Sequence, residues 1–72
     1  MNNLNVAKIQ LNGAPYEIRS GINLIELLNS LKIPNNKAAI EVNGEIVEKK
    51  KSQYLTLNKN DKVEIVHFIG GG

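Results

Sequence analysis

Only one stretch of this chain has helical periodicity, and that limits how it can be layered. Leu24, Leu27, Leu28 and Leu31 fall at i, i+3, i+4 and i+7, which puts all four on one face of a helix. Asn23 and Glu26 stand three residues apart at its start, the spacing at which an Asn side chain accepts from an orphan amide and a Glu favours the helix dipole. Pro34 disfavours helical geometry at Ile33, so the spacing predicts a helix of about ten residues that finishes there. A single short helix can cover one face of a sheet and no more. The chain is therefore expected to form an α+β fold of two layers, with the helix packed across one face of a mixed sheet.

The strands are read from period two. From Val6 to Leu11, Ala7, Ile9 and Leu11 alternate with Lys8 and Gln10, the pattern of a half-buried strand. Asn12-Gly13 can supply the two positive-φ positions of a tight hairpin, which predicts a second strand through Tyr16 and Ile18. Pro15 cannot donate to a ladder, so that strand begins there or lies at a sheet edge. Ala38, Ile40 and Val42 share one face of a third strand, and Asn43-Gly44 repeats the hairpin signal before Glu45-Ile46-Val47. A polar stretch, 48–53, follows, and Tyr54, Leu55 and Leu57 are expected to tuck a loop against the core. Residues 58–61 read as a turn. The last strand, 62–69, is apolar at Val63, Ile65, Val66, Phe68 and Ile69; apolarity on both faces predicts a central position, beside the first strand.

The 72 residues contain no cysteine, which removes disulfides, thiolate nucleophiles and cysteine-based metal sites together. With His67 as the one histidine, no metal site is expected. Nine Lys and Arg against seven Asp and Glu leave a net charge of +2, too mild for a nucleic-acid partner. Lys49-Lys50-Lys51 reads as solvated surface, with docking of an acidic partner as the alternative. No apolar run approaches the roughly 20 residues that span a bilayer, and the first five residues lack the pattern of a signal peptide; a cytoplasmic protein with no membrane partner is the expectation. No Ser–His–Asp or Cys–His set and no phosphate-cradling glycine loop is present, so the chain reads as something acted upon rather than an enzyme.

What remains is the end of the chain, His67-Phe68-Ile69-Gly70-Gly71-Gly72. Glycine has no Cβ to limit its backbone and no side chain to shield a carboxylate. Gly70 to Gly72 are read as a flexible tail that enters a partner's active site, and His67, Phe68 and Ile69 as its possible partner contacts. A terminal carboxylate is ionised at neutral pH and a poor electrophile, so chemistry at Gly72 requires activation from outside. A ragged terminus without purpose is the bland alternative.

Taken together, Asn12-Gly13-Ala14-Pro15, the leucine-faced helix, Val42-Asn43-Gly44-Glu45-Ile46-Val47, Asp61-Lys62-Val63-Glu64-Ile65-Val66 and the three final glycines resemble the ThiS family of sulfur carriers in thiamine biosynthesis, over nearly the whole chain. The resemblance implies a single ubiquitin-like β-grasp domain over residues 1–72, with sheet order 2-1-5-3-4. It also implies that Gly72 is adenylated with ATP by a ThiF-like enzyme and converted to a thiocarboxylate by a cysteine-derived sulfur donor. Thiazole synthase, ThiG-like, would then take that sulfur, and the carrier itself would bind no cofactor. The same fold and tail are found in the small subunit of molybdopterin synthase, MoaD-like, which usually runs longer and ends in two glycines, and in ubiquitin-like protein modifiers. A β-grasp binding module with an idle tail is the remaining reading.

Overall fold

Two Asn-Gly turns set the outline of the sheet. The computed structural model describes residues 5–67, including every side chain except those of Asn35 and Lys49. Strand β1 (Val6–Leu11) turns at Asn12-Gly13, φ +50° and +85°, into β2 (Ala14–Arg19). Strand β3 (Ala38–Val42) turns at Asn43-Gly44, φ +54° and +87°, into a two-residue β4 (Glu45–Ile46). Asn and Gly tolerate the left-handed backbone that such a turn demands at both central positions. The last strand, β5 (Lys62–His67), lies between the hairpins, parallel to β1 and antiparallel to β3, and gives the sheet order β2-β1-β5-β3-β4. This is the expected β-grasp sheet, with β5 central.

Pro15 lies within edge strand β2 and faces Gln10. The pair closing a two-residue hairpin, Leu11 with Ala14, exchanges hydrogen bonds, so the next pair does not. Proline's missing N–H then points away from the ladder and costs nothing.

Helix α1 (Leu24–Ser30) opens on a complete capping box: the Glu26 N–H donates to Asn23 Oδ1 at 2.8 Å and the Asn23 N–H to Glu26 Oε1 at 2.9 Å. It is seven residues long and stops before the proline expected to end it. Lys32 takes φ +61°, its N–H donates to the Asn29 carbonyl at 3.1 Å, and the Ile33 N–H donates to the Leu28 carbonyl at 3.0 Å. These are the two bonds of a Schellman close. The left-handed residue, rather than Pro34, terminates the helix.

Leu24, Leu27 and Leu28 are buried against Ile9, Ile18, Ile40, Val63, Ile65 and Leu57, with Leu31 packed half-buried at the margin. Along β5 only Val63 and Ile65 turn to this core. Val66 is 60% exposed, so the strand is central without being buried on both faces. Its second face is open because the helix covers the other. Phe68 and Ile69, expected to continue the strand, and Gly70 to Gly72, expected as a flexible tail, lie outside the described residues.

The polar stretch after β4 is a 3₁₀ segment (Lys49–Tyr54) rather than a loop. With three residues per turn, Ser52 and Leu55 share a side: Ser52 is fully buried and Leu55 half-buried, while Tyr54, expected to tuck inward, is 78% exposed. Leu57 is buried as expected. The Leu24 N–H donates to the Leu55 carbonyl at 3.0 Å and the Leu57 N–H to the Ile22 carbonyl at 2.9 Å, tying this segment to the start of α1. Among the described residues no helix is long and apolar enough to cross a membrane.

Candidate functional site

Strand β5 ends at His67, the first of the residues singled out at the end of the sequence, so what holds β5 bears on where His67 is placed. On one side its pairing with β3 is continuous, from Val42 opposite Val63 to Ala38 opposite His67. On the other side β1 pairs only at Gln10 with Lys62 and Leu11 with Val63, and then the chain turns away into β2. Past that point the Asn12 side chain takes over. Its Oδ1 accepts from the Ile65 N–H at 2.7 Å, next to the bond that the Asn12 backbone N–H donates to the Val63 carbonyl at 2.9 Å.

The other turn does the same at the beginning of β5. The Asn43 N–H donates to the Lys62 carbonyl at 2.7 Å, and Asn43 Oδ1 accepts from the Lys62 N–H at 2.9 Å. Its Nδ2 donates to Asp61 Oδ1 at 3.0 Å, while Asp61 Oδ2 accepts from the Asn58 N–H at 2.8 Å. Each asparagine therefore both shapes a hairpin and holds the central strand. From the sequence these residues were legible as turn formers only; Asn rather than Gly at the first turn position was the one signal of a second role.

Of the residues singled out from the sequence, His67 ends β5, exposed, on the strand face that also carries Val63 and Ile65. Phe68, Ile69, Gly70, Gly71 and Gly72 lie outside the described residues. From His67 to Gly72 is five residues, a reach of at most about 17 Å when extended. On the open face beside this exit, a hollow of about 120 Å³ is lined by Ala39, Ile40, Ile46 and Val66, with Glu41 and Glu64 also bordering it. A larger groove of about 630 Å³ lies between the β3–β4 hairpin and the 3₁₀ segment, where Ile46, Tyr54 and Lys51 line it; no residue of β5 contributes to it. Lys50 and Lys51 are exposed, as solvated residues would be. Among the described residues no group of three or more His, Asp or Glu side chains is placed to hold a metal ion.

The arrangement is one central strand, clasped by two turns, that ends at the exposed His67. The ThiS family model matches residues 9–72. The chain is 37% identical over 65 residues to the sulfur carrier protein ThiS of Bacillus subtilis, an alignment covering 89% of this chain and 98% of that protein. It is 40% identical over 65 residues to a thiazole synthase of Magnetococcus marinus, covering 90% of this chain and spanning only 20% of the relative's length. The crystal structure of the thiamine biosynthesis protein ThiS from Geobacter metallireducens superposes with a TM-score of 0.77 at 32% identity, over 90% of this chain and 99% of that one. A shared sheet order, a family match that runs through the last glycine and full-length likeness in sequence and structure place the chain in one group: it belongs to the ThiS family.

Proposed function

We propose that this chain is the sulfur carrier of thiamine biosynthesis, a protein acted upon by enzymes rather than a catalyst. The carboxylate of Gly72 attacks the α-phosphorus of ATP in a ThiF-like adenylating enzyme and releases pyrophosphate. Sulfur derived from cysteine and delivered at the sulfide level then attacks the acyl carbon and displaces AMP, leaving a terminal thiocarboxylate. Adenylation is needed because an ionised carboxylate resists nucleophiles. The thiocarboxylate stays covalently attached to the carrier until an acceptor enzyme takes the sulfur, and Gly70 and Gly71 leave it unshielded.

The observation that carries the reading is the family match from residue 9 through Gly72, the only part of the chain with the chemistry of a transferable group. A relative named thiazole synthase contains a segment 40% identical to 90% of this chain, which supports a ThiG-like thiazole synthase as the acceptor in preference to a molybdopterin pathway. His67, Phe68 and Ile69 are the residues we assign to contact with these enzymes.

The test is the intact mass of the protein after incubation with ATP, the cognate adenylating enzyme and a sulfur source. Replacement of one oxygen by sulfur, localised to Gly72, is expected. An unchanged mass, with the enzyme shown active on another carrier, would overturn the reading.

A further inference from the structure

We infer that Asn12 is a positioning residue for the reaction at Gly72: its side chain holds β5 at Ile65, near the end of the strand. This rests on the carrier reading above and adds to it a residue 60 positions away from the reacting carboxylate.

The inference comes from the asymmetry of β5. Backbone groups of a strand face its two neighbours alternately. The Val63 carbonyl and the Ile65 N–H face β1, and both are taken by Asn12. The strand pairing on that side has already ended at Leu11. Beyond Ile65 the described part of β5 is paired to β3 alone, through Val66 with Ala39 and His67 with Ala38. Among the described residues, one side-chain oxygen is thus the final hold on β5 from the β1 side. Without it, the described end of β5 is held along β3 alone, and His67, which the carrier reading assigns to enzyme contact, is free to shift with it.

Asn is favoured at the first position of this turn, but glycine also takes φ near +50° without strain and can close the hairpin without the acceptor. Only a side chain that tolerates the left-handed region and ends in an acceptor can also reach the Ile65 N–H, which restricts the position to Asn or Asp. An enzyme acting on the carboxylate needs it aligned with its nucleophile or leaving group, and displacement of about 1 Å can cost about a hundredfold in rate.

The experiment compares four proteins as the varied substrate in the sulfur-loading reaction, with saturating ATP and sulfur source and a catalytic amount of adenylating enzyme. Asn12→Gly keeps the turn and deletes the acceptor; kcat should fall about tenfold with KM little changed and with faster amide exchange at Ile65. Asn12→Asp keeps an acceptor oxygen and should restore kcat to near the parent value. Asn23→Ala removes the helix cap and touches neither turn, so it should lower the unfolding midpoint while leaving kcat unchanged. As a second route, an amide-to-ester replacement at Ile65 deletes the donor without touching the turn and should reproduce the fall in kcat. Equal kcat for Asn12→Gly and the parent, or an equal loss in Asn23→Ala, would overturn the proposal and reduce Asn12 to a contributor to stability. If the parent protein itself gains no sulfur, the carrier reading falls first and this inference with it.

Discussion

Glu41 of β3 and Glu64 of β5 stand directly opposite each other on the sheet face away from the helix, a like-charge pair at the centre of the sheet. Lys62 lies two residues along from Glu64 on the same face, so two carboxylates share one nearby cation. Like charges directly opposite destabilise a sheet by a few tenths of a kcal/mol. Glu41→Gln is expected to stabilise the protein by about 0.5 kcal/mol in urea unfolding. The gain should shrink in about 1 M salt, where screening is complete within a few ångströms. Adding Glu64→Gln should bring little more, because the first substitution already removes the repulsion.

Leu28 is 1% exposed and packs in the core, while its carbonyl also receives the Ile33 N–H that closes the helix. Leu28→Ala leaves that backbone bond in place and removes the buried side chain. The expected cost is on the order of 2–5 kcal/mol, a large part of what so small a domain has. An unchanged urea midpoint would contradict the helix face described above.

The capping box matters more for a helix of two turns than for a long one. Asn23→Ala removes the acceptor for the Glu26 N–H and should cost about 1 kcal/mol, whereas Asn23→Asp should be nearly neutral. Helical circular dichroism and the thermal midpoint, measured together, would show whether the loss is local to α1.

Lys32 closes the same helix in the left-handed region at φ +61°, where a Cβ is strained and glycine is not. Lys32→Gly should therefore stabilise the protein by about 0.5 kcal/mol. The gain is held down by the greater freedom of glycine in the unfolded chain and by loss of a cation near the helix C-terminus. A lowered thermal midpoint would contradict this account of the cap.

Deleting Gly71 and Gly72 should separate stability from transfer. Every buried apolar side chain described lies between Ile9 and Ile65, so the urea midpoint should stay within about 0.5 kcal/mol of the parent, as for a surface change. Sulfur loading, read by intact mass, should be abolished.

Much of this fold was readable before any coordinates. Both hairpins fall where Asn-Gly interrupts period-two segments, because that dipeptide stabilises its turn from its own backbone preferences. The leucine face of α1 and its Asn23–Glu26 cap were equally local. The misreadings occurred where two local rules compete or where none applies. Pro34 signals an end to the helix, but Lys32 ends it earlier, since a Schellman close depends on which carbonyls remain available and not on residue type alone. Tyr54 is apolar enough to suggest burial and Ser52 is not; the phase of the 3₁₀ segment inverts that order.

What the sequence determined by itself, then, is the set of elements and their alternating faces. These rest on interactions within a few residues. The tertiary structure decided which backbone groups those elements satisfy in each other. Val66 faces outward because there is one helix to cover two faces. Asn12 reaches Ile65 across 53 positions because β1 ends short of β5 and leaves an amide that only the next side chain can take. A hydrogen-bond partner at that separation is chosen by register and strand length in space, and local sequence carries no record of either.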